Sequence, residues 1–375
     1  MRIAIAFVLF AVPLQDKKPD PPKVDQNRID AAIDKGAKFL IDEAKKGLAD
    51  VKHPNGGGDI SEDEIVFYTL IHAGVDPADA TFQKLLDRLL TKKLEKTYAV
   101  SLLAMSLESF DRKKYQYRIA QCAQFLVDNQ CKNGQWGYGE EVPLDKKEPP
   151  KKDVATGGAK PAEGGAKGGK TDSLPLIPIK KRSPGPDKGD NSNAQYAALG
   201  MRACLQASIN IPQDVLVLAV KWWEGNQCSD GSWGYGYEGS QDSSGYGSMT
   251  AGATGALIIY RHFLKLDYKR DPKVLKGMDW IGKNFTEKEN PKYQEPRMWH
   301  LYWLYAVERV GILFGTEKLG SHEWYVEGAK HLLDAQKENG SWRGMSLGGD
   351  VADTCFAILF LRRATKPLPK VATGK

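Results

Sequence analysis

A short phrase that occurs three times constrains the fold of this chain more than any other feature. Its copies run from Asn129 to Gly137, from Asn226 to Gly234 and from Gln336 to Trp342. Each copy follows an apolar stretch of helical periodicity and places Asn-Gly or Asp-Gly shortly before a tryptophan. This order of residues predicts a helix end, a tight turn and a tryptophan packed between neighbouring units of a repeat.

Helical stretches recur in pairs along nearly the whole chain, and we count six pairs. The first members carry one charged and one apolar face, which predicts outer helices over residues 30–47, 80–93, 115–130, 213–227, 272–285 and 324–337. The second members are apolar nearly all round, as buried helices are, over residues 63–74, 96–109, 192–208, 248–265, 297–314 and 350–363. Six such hairpins predict an all-α (α/α)6 toroid, with an open solenoid as the alternative.

The phrases from Gln227 to Trp233 and from Gln336 to Trp342 follow the pattern Gln-x-x-x-Gly-Ser-Trp. They resemble the QW-type repeats of the squalene cyclase and protein prenyltransferase superfamily, also described as prenyltransferase/squalene oxidase repeats. The segments that start at Asp190 and Asp350 look like the beginnings of inner helices in that group. The resemblance covers about residues 28–366 with one interruption. It implies the toroid fold but no particular activity, because one fold hosts many functions.

The chain divides into a leader, a repeat region and a tail. The basic and apolar start predicts a signal peptide over residues 1–15, hence export, with an uncleaved anchor as the alternative. A charged, proline-containing leader over 16–27 precedes the repeats, and a tail over 367–375 follows them. Residues 140–189 interrupt the repeats, and their glycine-rich low complexity predicts a disordered insertion. Within it, residues 174–182 are suited to docking onto the toroid or onto a partner.

Composition excludes several other classes of protein. With 375 residues and 41% hydrophobic content, the chain can bury the core of one large domain. The net charge of +6 is scattered among acidic residues, so nucleic acid is not a predicted partner. No stretch after the N-terminal one is apolar enough to span a membrane. The five cysteines show no disulfide framework, and Cys122, Cys204 and Cys355 are predicted to be core residues.

Parallel inner helices would bring their N-termini together at one rim of a central cavity. The candidate ligand-binding residues at or near this rim are Asp190, Asn193, Asp242, Arg297, Trp299, His300 and Trp303. Aromatic walls bind cations and apolar or sugar-like ligands, so a hydrophobic or a carbohydrate ligand is the expectation. Asp190 and Asp350 are equally the residue type that caps a helix, and capping is the favoured interpretation for each.

The resemblance also allows the chemistry of the superfamily to be compared with these residues. The cyclases carry a motif similar to Asp-x-Asp-Asp-Thr, and the segment from Asp350 to Thr354 places Ala352 where their acid stands. Asp353, with Asp350, is the candidate catalytic residue if the chain is a terpenoid cyclase-type isomerase. Asp353 and Cys355 match part of the prenyltransferase zinc set, but no histidine follows them, so no metal and no cofactor is predicted.

A carbohydrate-active (α/α)6 enzyme is the remaining enzymatic alternative, and it requires two cavity carboxylates. The sequence favours an exported binding or scaffold module with a central cavity, open to a protein partner, and leaves catalysis undecided. The repeat motif itself is predicted to be structural and to tie helix ends together on the outside of the ring, through Gln130, Trp136, Gln227, Trp233, Gln336 and Trp342.

Overall fold

The computed structural model describes residues 24–47, 50–52, 59–142, 174–236, 245–346 and 348–369. Within them the chain forms twelve helices and four short strands. The outer helices are α1 (Gln26–Lys46), α3 (Ala80–Thr91), α5 (Gln116–Asp128), α7 (Gln213–Gly225), α9 (Pro272–Asn284) and α11 (Trp324–Ala335). The inner helices are α2 (Asp63–Ala73), α4 (Thr97–Asp111), α6 (Asn191–Gln206), α8 (Gly247–Phe263), α10 (His300–Phe314) and α12 (Gly349–Leu361). The strands are β1 (Asp50–Lys52), β2 (Asp59–Ser61), β3 (Ile177–Pro178) and β4 (Ile209–Asn210).

The predicted alternation of outer and inner helices is confirmed by their burial. The outer helices bury one stripe each, as α3 does with Phe82, Leu85 and Leu89. The inner helices are buried on nearly every side, and α8 is the extreme case because small residues let its neighbours approach closely. Aspartates cap many of the helices: Asp79 accepts hydrogen bonds from the backbone N–H groups of Thr81 and Phe82.

The helices close into a ring. Each inner helix packs against the next in the order α2, α4, α6, α8, α10, α12, and α12 packs back against α2. The first outer helix, α1, contacts both α11 and α12. The all-α (α/α)6 toroid is therefore the fold, and the open solenoid is excluded. This closure gives the ring two mouths, one at the N-terminal ends of the inner helices and one at their C-terminal ends.

Side chains of the repeated phrase join neighbouring outer helices through hydrogen bonds. Its glutamine Nε2 donates to a backbone oxygen of the next outer helix at 2.8–2.9 Å, through Gln130 to Val215, Gln227 to Lys273 and Gln336 to Ala32. Its tryptophan Nε1 donates back to the C-terminal end of its own outer helix at 2.7–2.9 Å, through Trp136 to Leu126, Trp233 to Trp223 and Trp342 to Leu332. The third copy thus joins α11 to α1 and closes the ring.

The later part of the predicted insertion is packed onto the ring, which corrects its assignment as disordered. Strand β3 pairs in parallel with β4, and Ile177 is buried. Arg182 forms an ion pair at 3.0 Å with Asp128 at the end of α5. Lys181 Nζ donates to the backbone oxygen of Gln130 at 3.0 Å. Residues 143–173, which include the glycine-rich tract, lie outside the described residues.

The C-terminal segment after α12 covers the C-terminal mouth of the ring. Arg202 on α6 donates to the backbone oxygen of Lys366 at 2.7 Å, and Lys366 Nζ lies 3.0 Å from both carboxylate oxygens of Glu108 on α4. Thr365 donates through its N–H and its hydroxyl to Glu308 on α10. Among the described helices, none combines the length and apolar character that a membrane crossing needs. The predicted signal peptide lies outside the described residues.

Candidate functional site

The middle of the ring is filled by side chains of the inner helices. Tyr196 on α6 and Tyr305 on α10 are fully buried, and the Arg309 guanidinium lies 5.6 Å and 4.4 Å from the centres of their rings. Arg309 Nη2 also donates to Gln195 Oε1 at 2.9 Å. A guanidinium over aromatic faces is a favourable cation–π arrangement. The chain therefore places its own cation where the predicted central cavity would hold a ligand, which corrects that prediction for the middle of the ring.

Stacked rings continue from this centre toward the N-terminal mouth. The rings of Tyr98 and Tyr196 stack at 4.0 Å, and Tyr302 lies parallel to Tyr196 at 6.2 Å. Phe356 on α12 packs against Tyr302 at 5.4 Å. Above them the hydroxyl of Tyr98 hydrogen bonds to Ser192 and, at 2.9 Å, to the hydroxyl of Tyr302. The packing thus ends at the N-terminal mouth in a group of hydroxyls.

The N-terminal mouth carries a continuous set of aromatic side chains. We call it the aromatic rim, and it consists of Tyr98, Tyr138, Tyr235, Tyr246, Tyr293, Trp299 and Tyr302. The rings of Tyr246 and Tyr293 lie 4.8 Å apart, and those of Trp299 and Tyr302 lie 6.0 Å apart. Tyr235 hydrogen bonds to Tyr138, and its side chain is 42% exposed. Burial raises the pKa of Tyr246 and Tyr302, so their hydroxyls are neutral hydrogen-bonding groups.

At this mouth, Trp299 and Met345 have a backbone conformation that non-glycine residues rarely adopt. Trp299, directly before α10, has φ +62°, and Met345, in the loop before α12, has φ +56°. Met345 is 51% exposed, although its side chain is apolar. Strain of this kind persists where the surrounding structure holds it in place, and it clusters at functional sites. Gly344 packs against Leu301 of α10, so the Met345 loop lies beside the Trp299 segment.

Several predicted site residues make structural contacts at this mouth. Asp190 caps α6 by accepting from the N–H and the side-chain amide of Asn193, at 2.7 Å and 2.8 Å. Asp350 forms an ion pair with Lys337 at 2.6 Å. Asp190 is therefore the predicted helix cap, whereas Asp350 lies inside α12 and makes no capping hydrogen bond. Arg297 is exposed on the loop before α10, and Asp242 lies outside the described residues.

Two predicted cavity residues on α10 face away from the centre of the ring. His300 lies 2.6 Å from the backbone oxygen of Glu287, and its ring packs against His331 of α11. Burial lowers the pKa of His300 to about 4, so it is neutral at physiological pH. Trp303 is fully buried and donates to the backbone oxygen of Thr286 at 2.9 Å. The structure instead turns Trp299, Tyr302, Tyr305 and Arg309 toward the mouth and the centre.

Asp353, the candidate acid, is fully buried and holds the loop that precedes its helix. Its carboxylate accepts from the backbone N–H groups of Gly344 and Ser346 and from the Ser346 hydroxyl. Burial raises the pKa of Asp353, and these hydrogen bonds oppose that shift because they favour the charged form. The carboxylate has no exposed surface through which it would reach a substrate. Its role in this structure is to position the Met345 loop.

We expect Asp353→Asn to lower the free energy of unfolding by about 2–3 kcal/mol, because a buried acceptor of charge-assisted hydrogen bonds is replaced by an amide. Denaturant unfolding followed by circular dichroism measures this loss. Asp350→Asn is the matched control on the same helix, and it removes only a partly exposed ion pair. Equal losses in the two variants would contradict the positioning role of Asp353.

Glu62, the residue before α2, is a buried carboxyl group with a raised pKa. Burial raises the pKa of Glu62 to about 7, and the nearby charges of Asp63 and Glu43 add to this shift. A folded-state pKa above the unfolded value makes the protonated form more favourable in the folded protein. The stability that this gives is complete below pH 4.5 and is lost as the pH rises through about 7.

We therefore expect Glu62→Gln to stabilise the protein at pH 8 by about 2–3 kcal/mol, since a shift of one pKa unit corresponds to about 1.4 kcal/mol. At pH 4.5 the two proteins are expected to differ little, because Glu62 is protonated in the folded state. Unfolding in urea at the two pH values measures the difference. A Glu62→Gln protein less stable than wild type at pH 8 would contradict this assignment.

The cysteines do not form a reactive or metal-binding site in the described part of the chain. Cys122, Cys131, Cys204, Cys228 and Cys355 are all buried, and each is a thiol that takes part in no disulfide. Burial raises the pKa of Cys122 to about 12 and of Cys131 to about 11, so their thiols stay protonated. Over the described residues, no group of three or more His, Cys, Asp and Glu side chains is placed to hold a metal ion.

Comparison with known proteins finds solved structures that have a similar fold. No protein-family model and no curated protein matches the sequence. The chain is similar to a variant of the type II terpene cyclase MstE from Scytonema in complex with geranylgeranyl dihydroxybenzoate, with 11% identity, 92% of this chain and 98% of that chain covered, and a TM-score of 0.55. It is equally similar to a possible member of the GH105 family from Salmonella enterica serovar Paratyphi A, with 10% identity, coverages of 95% and 99%, and a TM-score of 0.55.

A third similar structure is an unsaturated glucuronyl hydrolase specific for heparin, with 9% identity, coverages of 91% and 98%, and a TM-score of 0.54. At these identities the similarity shows the fold alone. It confirms the predicted all-α toroid fold. Terpene cyclases and sugar-processing hydrolases share the fold, so its chemistry has to be argued from the residues of this chain.

Proposed function

We propose that this protein is a carbohydrate-binding module whose ligand lies on the aromatic rim. The observation that carries the proposal is the contrast between the centre and the mouth of the ring. The centre is filled by Tyr196, Tyr305 and Arg309, whereas the mouth exposes Tyr235 and holds Trp299 in a strained conformation. Exposed aromatic faces beside hydroxyl groups can stack on sugar rings and hydrogen bond to sugar hydroxyls.

The form of the rim supports a sugar over a prenyl chain. An apolar chain gains affinity by being enclosed in an apolar cavity. At the rim Tyr235 is exposed, and the hydroxyls of Tyr98, Ser192 and Tyr302 lie within hydrogen-bonding distance of each other. A carbohydrate ligand also agrees with the similarity in fold to sugar-processing toroids, although that similarity carries no ligand by itself. Export is part of the proposal, and it rests on the basic and apolar N-terminus.

A terpenoid cyclase-type activity has less support from the residues. Its candidate acid, Asp353, is fully buried and accepts hydrogen bonds from the Met345 loop. Alanine stands at position 352, where the resembling motif has its acid. We expect no cyclised product when the purified protein is incubated with polyprenyl substrates. A cyclised product that Asp353→Asn abolishes would overturn the proposal of a binding module.

The test of the proposal is a glycan-array screen, followed by isothermal titration calorimetry with the neutral oligosaccharide that binds best. We expect Tyr235→Ala to weaken this binding about tenfold, which corresponds to about 1.4 kcal/mol of stacking energy. Leu275→Ala is the control, because Leu275 is 43% exposed but lies on outer helix α9. Binding that is absent for every glycan, or that Tyr235→Ala leaves unchanged, would overturn the proposal.

A further inference from the structure

Glu62 differs from every other buried carboxylate that the structure describes. Its side chain is buried, at 7% relative exposure, and no hydrogen bond or ion pair joins it to another of the described residues. Eight other buried carboxylates have partners; they are Asp63, Glu64, Glu108, Asp128, Asp190, Asp271, Glu308 and Asp353. A buried charge is costly unless it is paired, so an unpaired carboxylate points to a partner outside the chain.

The cap position of Glu62 does not explain its side chain. Glu62 directly precedes α2, in the N-cap position, and its carboxylate makes no capping hydrogen bond. The aspartates at the equivalent positions of α1, α3, α6 and α9 all make one; they are Asp25, Asp79, Asp190 and Asp271. The pKa of Glu62 is raised to about 7, chiefly by burial. The side chain is therefore available for another role.

The Glu62 carboxylate is directed across the mouth toward the start of α12. A Cβ placed on Gly348 would lie 2.9 Å from Glu62 Oε1 and 2.5 Å from the Cβ of Ala352. Ala352 lies one helical turn above Phe356, whose ring packs against Tyr302 of the aromatic rim. Glu62 thus faces small apolar residues at the N-terminal mouth, on the side where α2 and α12 meet.

The charged groups around Glu62 leave it without a cation of its own. On its own helix, Asp63 pairs with Arg88 and Glu64 pairs with Lys92. On α1, Glu43 pairs with Lys46, and on α12, Asp350 pairs with Lys337 while Asp353 binds Ser346. Cys355, also on α12, is a protonated thiol because burial raises its pKa. The nearby carboxylates make this corner of the mouth favourable for a positive charge.

We propose that Glu62 binds an organic ammonium group at the N-terminal mouth of the ring. The proposal rests on the aromatic rim as the binding surface and adds a charge to its ligand, which then is an amine-bearing sugar. A single carboxylate at the mouth that carries the aromatic rim suits an ammonium ion, since aromatic faces attract organic cations. A metal ion would require further ligands, and the described residues provide no cluster of three.

The test uses choline, because its positive charge does not change with pH, and 3,3-dimethylbutan-1-ol as its uncharged isostere. Binding of each to the full chain is measured by NMR titration at pH 8 and pH 5.5. We expect choline to bind at least tenfold more tightly at pH 8, where Glu62 is ionised, and the isostere to show no pH dependence. In Glu62→Gln, choline binding is expected to be as weak at pH 8 as in wild type at pH 5.5.

Glu317→Gln is the matched control, since Glu317 is exposed at the opposite end of the ring and pairs with Arg363. It is expected to retain wild-type choline binding. Choline that fails to bind wild type at pH 8, or that binds Glu62→Gln equally well, would overturn the role of Glu62. That outcome is distinct from failure of the aromatic rim as a binding surface. The binding of neutral oligosaccharides to wild type and to Tyr235→Ala tests the rim separately. Circular dichroism verifies that the Glu62→Gln protein is folded.

Discussion

Replacing Gly340 with alanine is expected to lower the free energy of unfolding by about 4 kcal/mol or more, because the substitution combines a steric clash with backbone strain. Gly340 belongs to the third repeat phrase and has φ +90°. A Cβ at this position would lie 2.4 Å from the backbone oxygen of Lys35 on α1. The clash therefore falls at the contact between α11 and α1, where the ring closes.

The chain offers a matched control for the strain alone. Gly47, at the end of α1, has φ +92°, and a Cβ there would meet nothing within 4 Å. We expect Gly47→Ala to cost only about 1–2 kcal/mol, the strain of a left-handed residue. Chemical denaturation of both variants gives the comparison. A loss in Gly340→Ala no larger than that in Gly47→Ala would mean that α11 and α1 do not meet, as in an open solenoid.

Replacing Lys366 with methionine is expected to cost about 3 kcal/mol, because it leaves Glu108 buried without its cation. Lys366 Nζ lies 3.0 Å from both carboxylate oxygens of Glu108, which is nearly fully buried on α4. In the same segment, the Thr365 hydroxyl donates a hydrogen bond to Glu308. Burial raises the pKa of Glu308 to about 7. The loss is expected to extend to the C-terminal mouth that this segment covers.

Two further variants separate the buried pair from surface charge. Glu108→Gln in the Lys366→Met background is expected to recover part of the loss, since the unpaired charge is removed. Lys93→Met breaks an exposed pair with Glu141 and is expected to leave the stability nearly unchanged. Thermal unfolding of the four proteins measures these differences. A Lys366→Met protein as stable as Lys93→Met would contradict the role of the C-terminal segment.

The architecture could be predicted from the sequence because its signals are local. Helical periodicity and the pattern of apolar residues predicted the twelve described helices, with bounds within a few residues of those observed. The Asn-Gly or Asp-Gly turn predicted the ends of three outer helices. Aspartate before a helix predicts a cap, and Asp190 is one. The structural role of Gln336 and Trp342 also followed from their position after a helix. These inferences depend on neighbours within a few residues along the chain.

The site could not be predicted to the same degree because it depends on how the helices are rotated. Spacing alone did not show that α10 turns Tyr302 and Arg309 inward and His300 outward. The contact of Tyr98 with Tyr302 joins residues 204 positions apart, and that of Arg309 with Gln195 joins residues 114 positions apart. Glu62 carried no sequence signal, since its lack of a partner is a property of the folded chain. For the rim, the signal in the sequence was the expected meeting of the inner-helix N-termini, which predicted Trp299 there.

The central claim is that the ligand binds at the N-terminal mouth and not in the middle of the ring. The most direct measurement is hydroxyl-radical footprinting with mass spectrometry, with and without a saturating oligosaccharide that binds the protein. We predict that the ligand protects Tyr235, Trp299 and Met345, while Tyr196 and Tyr305 remain equally unreactive in both states because they are fully buried. Unchanged reactivity at the mouth, or ligand-dependent changes confined to Tyr196 and Tyr305, would contradict the account.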